Sequence, residues 1–180
     1  MLLFWRHGYE TTSISDLTSA MGITPPSLYT AFGDKRRLFL EAVQRYAGDP
    51  EASAVMIAGA SSAFEAARAL LTGAVVLFTG EDTPPGCLLA SATASGSAAA
   101  HDVQATVAAY RHRIIDNLAT RIEKDVDARV VPAGTDAQAL AGFVVAIIQG
   151  LSVLARDGAS RAALAGVAEA ALHAWPTRHD

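Results

Sequence analysis

The strongest constraint on this chain is a series of helix-starting and helix-ending residues near its beginning. Ser13 can accept the N–H of Asp16, and the Asp16 carboxylate can return to the Ser13 N–H. That reciprocal cap starts a helix at Ile14. Gly22 is free to end it in the left-handed region. Thr24 caps a second helix, with Pro25 at the first helical position, where a missing N–H costs nothing. Gly33 stops this helix, and Asp34 starts a third that runs to about Ala47, before Gly48-Asp49-Pro50. Ile14, Leu17 and Met21 are predicted to share one side of the first helix. Leu28 and Phe32 sit one turn apart on the second. Two amphipathic helices joined by a tight glycine turn make a helix-turn-helix.

In that geometry the second helix enters a DNA major groove by its N-terminal end. Its outward residues are Thr24, Pro25, Ser27, Tyr29 and Thr30. Ser27 and Thr30 can hydrogen-bond base edges or phosphates. The prolines and the Thr24 methyl can meet a thymine methyl. The Tyr29 hydroxyl can donate to a phosphate, although the same spacing also suits a partly buried ring with a wet tip. The next helix opens with Lys35, Arg36 and Arg37. Cations there oppose the helix dipole, so a nearby polyanion accounts for them better than stability does.

Taken together, Phe4 to Ile14, then Leu17, Ala20, Met21, Gly22 and Ile23, then Ser27-Leu28-Tyr29, Phe32-Gly33, Lys35 and Leu38-Phe39 closely resemble the head of the TetR family of transcriptional regulators. The resemblance implies that Tyr29 and Lys35 contact phosphates, and that Thr24, Pro25, Ser27 and Thr30 lie at or near the groove. It also implies a helix linking head to body. Two body segments, Pro85 to Leu89 and Ala155 to Ser160, resemble a subset of the family. Family heads usually carry a further basic stretch before the position of Phe4. The first helix is therefore expected to be incomplete here and the hold on the operator weaker. Five head cations (Arg6, Lys35, Arg36, Arg37, Arg45) face four anions (Glu10, Asp16, Asp34, Glu41), leaving a small positive excess.

Beyond the head, turn signals divide the chain into helices expected at about 51–59, 62–79, 85–96, 101–127, 137–157 and 160–174. The expected fold is all-α: a helix-turn-helix DNA-binding head over residues 1–48, then an α-helical ligand-binding and dimerisation body over 49–180. The segment from Ala137 to Asp157 is apolar nearly all round, which suits one face inward and one against a second subunit. Reading a palindromic site requires such a two-fold dimer. Val144, Ile148 and Leu151 on this helix, with Leu118 and Ile122 on the preceding one, are the expected interface. Family members usually hold a small effector in the body. Phe64, Leu71, Val75, Phe78, Thr93, Tyr110, Ile114 and Phe143 are the expected lining, and the scarcity of charge points to an apolar effector. Cys87, the single cysteine, is either a sensor near a helix start or a small buried hydrophobe.

The net charge of −4 argues against a protein that coats nucleic acid without specificity. One cysteine and no signal peptide point to the cytoplasm. No phosphate loop, nucleophile elbow or paired metal ligands are found, so neither an enzyme nor a metal or cofactor site is expected. The alternative is a helical dimerisation or ligand-binding module whose DNA binding is impaired by the shortened start.

Overall fold

The computed structural model describes residues 1–91 and 101–177. These residues form helices and turns, with no strand among them. The helices are α1 (Leu2–His7), α2 (Ile14–Met21), α3 (Pro25–Phe32), α4 (Lys35–Ala47), α5 (Pro50–Gly59), α6 (Ala63–Phe78), α7 (Leu88–Ser91), α8 (His101–Asp127), α9 (Ala137–Arg156) and α10 (Arg161–His173). The expected 85–96 helix starts later, at Leu88 as α7, because Gly86 at φ 79° keeps residues 85–87 out of the helix; residues 92–96 lie outside the described residues.

The caps are those the side chains dictate. Asp16 N–H donates to Ser13 Oγ at 3.1 Å, and Ser13 N–H donates to Asp16 Oδ2 at 2.9 Å. Gly22 stands at φ 66°, the left-handed conformation that a residue with a Cβ adopts only at a cost. Asp34 accepts the Arg37 N–H at 2.7 Å. Ser62, Asp136 and Ser160 cap α6, α9 and α10 in the same way.

Contacts divide the chain into two units, with a break at Asp49–Pro50. Cys87–Ser91 and His101–Ala109 belong with the head unit, although the sequence reading placed them in the body. The head has an aromatic core: Phe4 and Phe39 are fully buried and meet edge to face at 5.0 Å, with Tyr9 against Phe39 at 5.1 Å. Trp5 is buried against Tyr46 at 4.8 Å. Leu17, Leu28, Leu38 and Val43 fill the rest. Met21 is 40% exposed, and Ile14 and Phe32 are only half-buried, so the core takes fewer residues from the helix-turn-helix than their spacing predicted. Helices of eight residues turn little more than one face each toward α1 and α4.

In the body unit α6, α9 and α10 pack closely on one another. Small residues make this approach possible: Ala66, Ala67 and Ala74 on α6, Ala141 and Ala155 on α9, Ala168 and Ala171 on α10, all buried. Gly86 stands at φ +79°, and a Cβ added there would lie 2.7 Å from the Ser152 carbonyl oxygen. A different device holds α8. Asp125, 3% exposed, accepts the Ala63 N–H at 2.6 Å and Arg121 Nη1 at 2.7 Å, while Arg121 Nη2 donates to the Ala60 carbonyl at 3.1 Å. One buried carboxylate thus caps α6 and neutralises a guanidinium.

Candidate DNA-binding site and the regulatory body

The helix-turn-helix presents α3 outward. Leu28 is its anchor, with no exposed surface, while Thr24, Pro25, Pro26, Ser27, Tyr29 and Thr30 are all exposed. Tyr29 is 49% exposed, which decides against the packing alternative for its ring. The Thr24 and Ser27 hydroxyls lie 3.0 Å apart, and Thr30 Oγ1 donates to the Pro26 carbonyl at 2.9 Å. The Thr24 and Ser27 hydroxyls sit at the helix start, where the dipole favours an anion; Pro25 and Pro26 have no N–H and the Ser27 N–H meets Thr24, so the hydroxyls are the donors available there.

The three cations at the start of α4 have separate roles. Lys35 Nζ donates to the carbonyl oxygens of Thr12 and Glu10, at 3.0 and 3.3 Å, and lies 4.6 Å from the Tyr9 ring centre. Two of its three N–H groups therefore tie down the loop between α1 and α2. Arg36 pairs with Asp102 at 2.6 Å. Arg37 is exposed and folds back over Gly33. The sequence showed the cluster but not these partners, because Glu10, Thr12 and Asp102 are distant along the chain.

In the body, Leu71, Val75 and Phe78 are buried on α6. Phe64 is half-buried, its ring 5.8 Å from that of Trp175 and capped by Arg68 at 4.8 Å. Tyr110 and Ile114 are half-buried on α8, and Thr93 lies outside the described residues. Phe143 departs from the expected lining: it is 38% exposed, because it lies about a quarter turn around α9 from buried Val144 and Leu151.

The expected dimer residues need a similar correction. Leu118, Ile122, Val144 and Leu151 are each 0–1% exposed within one protomer and offer no surface to another. Only Ile148 is partly open. They are the apolar residues of α8 and α9 that fill the protomer's own core. The open face of α9 is instead Ala139, Phe143, Ala146, Gly150, Val153 and Leu154, at helical spacing and without a charge. α10 carries a matching open stripe of Ala163, Gly166, Val167 and Ala170. α9 is also the one helix among the described residues long and apolar enough to cross a membrane, and only 28% of its most apolar window is buried. Cys87 is buried, with the Tyr46 hydroxyl 3.4 Å from its Sγ. Among the described residues no group of three His, Cys, Asp or Glu could hold a metal ion.

Comparison with known proteins agrees with this architecture. The family described as bacterial regulatory proteins, tetR family, matches residues 1–42, and a tetracyclin repressor-like C-terminal domain matches residues 63–171. The chain is 34% identical over 179 residues to the HTH-type transcriptional repressor ComR of Escherichia coli (strain K12), covering 98% of this chain and 85% of that protein. It is 29% identical over 160 residues to the HTH-type transcriptional repressor BdcR of the same strain, covering 88% and 76%. A solved structure of a cysteine mutant of the TetR family regulator CifR, complexed with 26-bp double-strand operator DNA, superposes with a TM-score of 0.88. It is 38% identical and covers 97% of this chain and 92% of that one. The chain belongs to the TetR family and is a DNA-binding transcriptional regulator.

Proposed function

We propose that this chain represses transcription by binding a palindromic operator as a homodimer in the cytoplasm, and releases it when a small effector enters the body. The observation that carries the reading is the surface of α3: one buried anchor, Leu28, behind an exposed face of hydroxyls, prolines and a free-standing tyrosine. Thr24, Pro25, Ser27 and Thr30 meet base edges or nearby backbone, and Tyr29 donates to a phosphate. Lys35 uses its third N–H on a phosphate while the other two hold the loop. The chain's similarity to ComR and BdcR, both named repressors, favours repression over activation.

The dimer forms through the open stripes of α9 and α10. Their glycines, Gly142, Gly150 and Gly166, have nothing within 4 Å of an added Cβ in the protomer, so a second copy can approach closely. Effector binding favours one packing of the body and moves the two recognition helices off operator spacing. By linkage, operator must weaken effector binding by the same factor. A mobility-shift assay on DNA upstream of the protein's own gene tests the reading. A discrete complex that survives excess non-specific DNA is expected; none at any protein concentration overturns it.

A further inference from the structure

Arg111 occupies a position on α8 where a hydrocarbon is expected. It lies seven residues before Leu118 and eleven before Ile122, both fully buried, and so shares their inward face. The residue as a whole is half-buried, but its Nη1 is buried and has no hydrogen-bond partner. Asn117, six residues further on, leaves its buried Nδ2 without a partner as well. Arg111 takes no part in the ion pairs Arg36–Asp102, Arg68–Glu65 and Arg121–Asp125, and no carboxylate of the described residues answers it. An unmet buried donor destabilises the fold, the more so when charged. A third buried donor on α8, Arg121 Nε, is unmet as well, but Arg121 has Asp125 and the Ala60 carbonyl as partners, whereas nothing among the described residues answers Arg111.

We infer that the effector is a small carboxylic acid with an apolar body, its carboxylate held by the Arg111 guanidinium. This deepens the proposed regulation and rests on it. The guanidinium fork matches a carboxylate with two parallel N–H···O bonds, which water or a lone carbonyl cannot reproduce. Buried Leu71, Val75 and Phe78 show how apolar this unit's interior is, and such surroundings suit the rest of the ligand. Because Nη1 is closed off in this packing, the acid reaches it only when α8 shifts. Binding therefore favours a displaced α8, the differential affinity that a switch requires.

The test uses the full chain with benzoate and octanoate as probes, and benzamide and octan-1-ol as their uncharged counterparts. At about a hundredfold excess over its Kd, an acid is expected to raise Tm by roughly 5–10 °C. The neutral compounds leave Tm unchanged. Arg111→Met loses the acid response yet melts no lower than the parent without ligand, because it removes a half-buried cation with one unmet buried donor. Arg111→Lys keeps part of the response. No Tm shift with either acid, or an equal shift in Arg111→Met, overturns the inference. Operator binding is measured on the same samples. Operator binding without any acid response sinks the acid site and leaves the regulator; an acid response without operator binding sinks the regulator and leaves the acid site.

Discussion

The ammonium of Lys35 donates to the main-chain oxygen of Thr12 at 3.0 Å, so the lysine that opens α4 holds the fold of the head. Replacing it by alanine removes this bond, the bond to Glu10 and the contact with the Tyr9 ring. Lys35→Ala is expected to lower Tm by a few degrees. If the third N–H also reaches a phosphate, the salt dependence of operator binding falls by about one unit in slope. Melting curves and anisotropy titrations across salt concentrations separate the two roles. An unchanged slope assigns Lys35 to the loop alone.

Tyr29 separates recognition from stability more cleanly. Its ring is 49% exposed, and its hydroxyl meets no partner among the described residues. Tyr29→Phe should leave Tm within about 1 °C, since surface changes away from packed features cost little. Operator affinity should fall roughly tenfold or more, the value of one hydrogen bond to a charged oxygen. Unaltered affinity would remove Tyr29 from the interface.

Asp125 is the structural counterpart in the body. Asp125→Ala uncaps α6 at Ala63 and leaves the Arg121 guanidinium, 13% exposed, without its counter-charge. Breaking a buried pair from one side costs about 3–5 kcal/mol. Chemical denaturation should show that loss, and operator binding should weaken only as folded protein becomes scarce.

Tyr46 predicts a response to alkali. Burial, reinforced by the neighbouring Cys87 thiol and its hydrogen bond, pushes the phenol well above its ordinary 10.0. The fold holds the protonated form. Above pH 10 the unfolded chain loses this proton and the folded chain keeps it, so stability is full below that pH and falls above it. The slope is about 1.4 kcal/mol per pH unit for one such group. Tyr46→Phe should lack this component: its stability should decline less steeply than the parent's between pH 10 and 11 in urea titrations. Parallel declines would show that Tyr46 ionises freely in the folded protein.

Much of the head was legible because its information is local. Ser13 and Asp16, Gly22, Thr24 and Pro25, and Gly33 and Asp34 each act on neighbours within four residues, and each cap appears as read. The exposure of Tyr29 was not legible, since spacing permits either face. The partners of Lys35 and Arg36 were hidden for a similar reason: they are residues 23 to 66 positions away. In the body, apolar content identified α9 but not which of its sides turns inward. Apolarity alone cannot tell buried Val144 and Leu151 from the exposed residues of α9, and Ala163, Gly166, Val167 and Ala170 on α10 carry no pattern that marks them as an open stripe. The Arg121–Asp125 spacing is visible in the sequence, but its burial is not.

The dimer stripe gives a prediction of its own. Leu154 is 40% exposed beside Gly150 and Val153. Leu154→Arg places a cation on each side of a two-fold interface, where like charges cost several kcal/mol. Sedimentation should show a monomer at micromolar concentration, with Tm of the protomer little changed. Operator affinity should fall about a hundredfold or more. A stable dimer in this variant would move the interface elsewhere.

The most direct measurement is an anisotropy titration of the unmodified chain on a labelled palindromic duplex taken from the DNA upstream of its gene. Saturation at two protomers per palindrome is expected, with affinity at least a thousandfold above that for a scrambled duplex, near the lower bound for specific regulators. Equal affinity for the two duplexes, or saturation at one protomer, would contradict a dimeric operator-reading regulator.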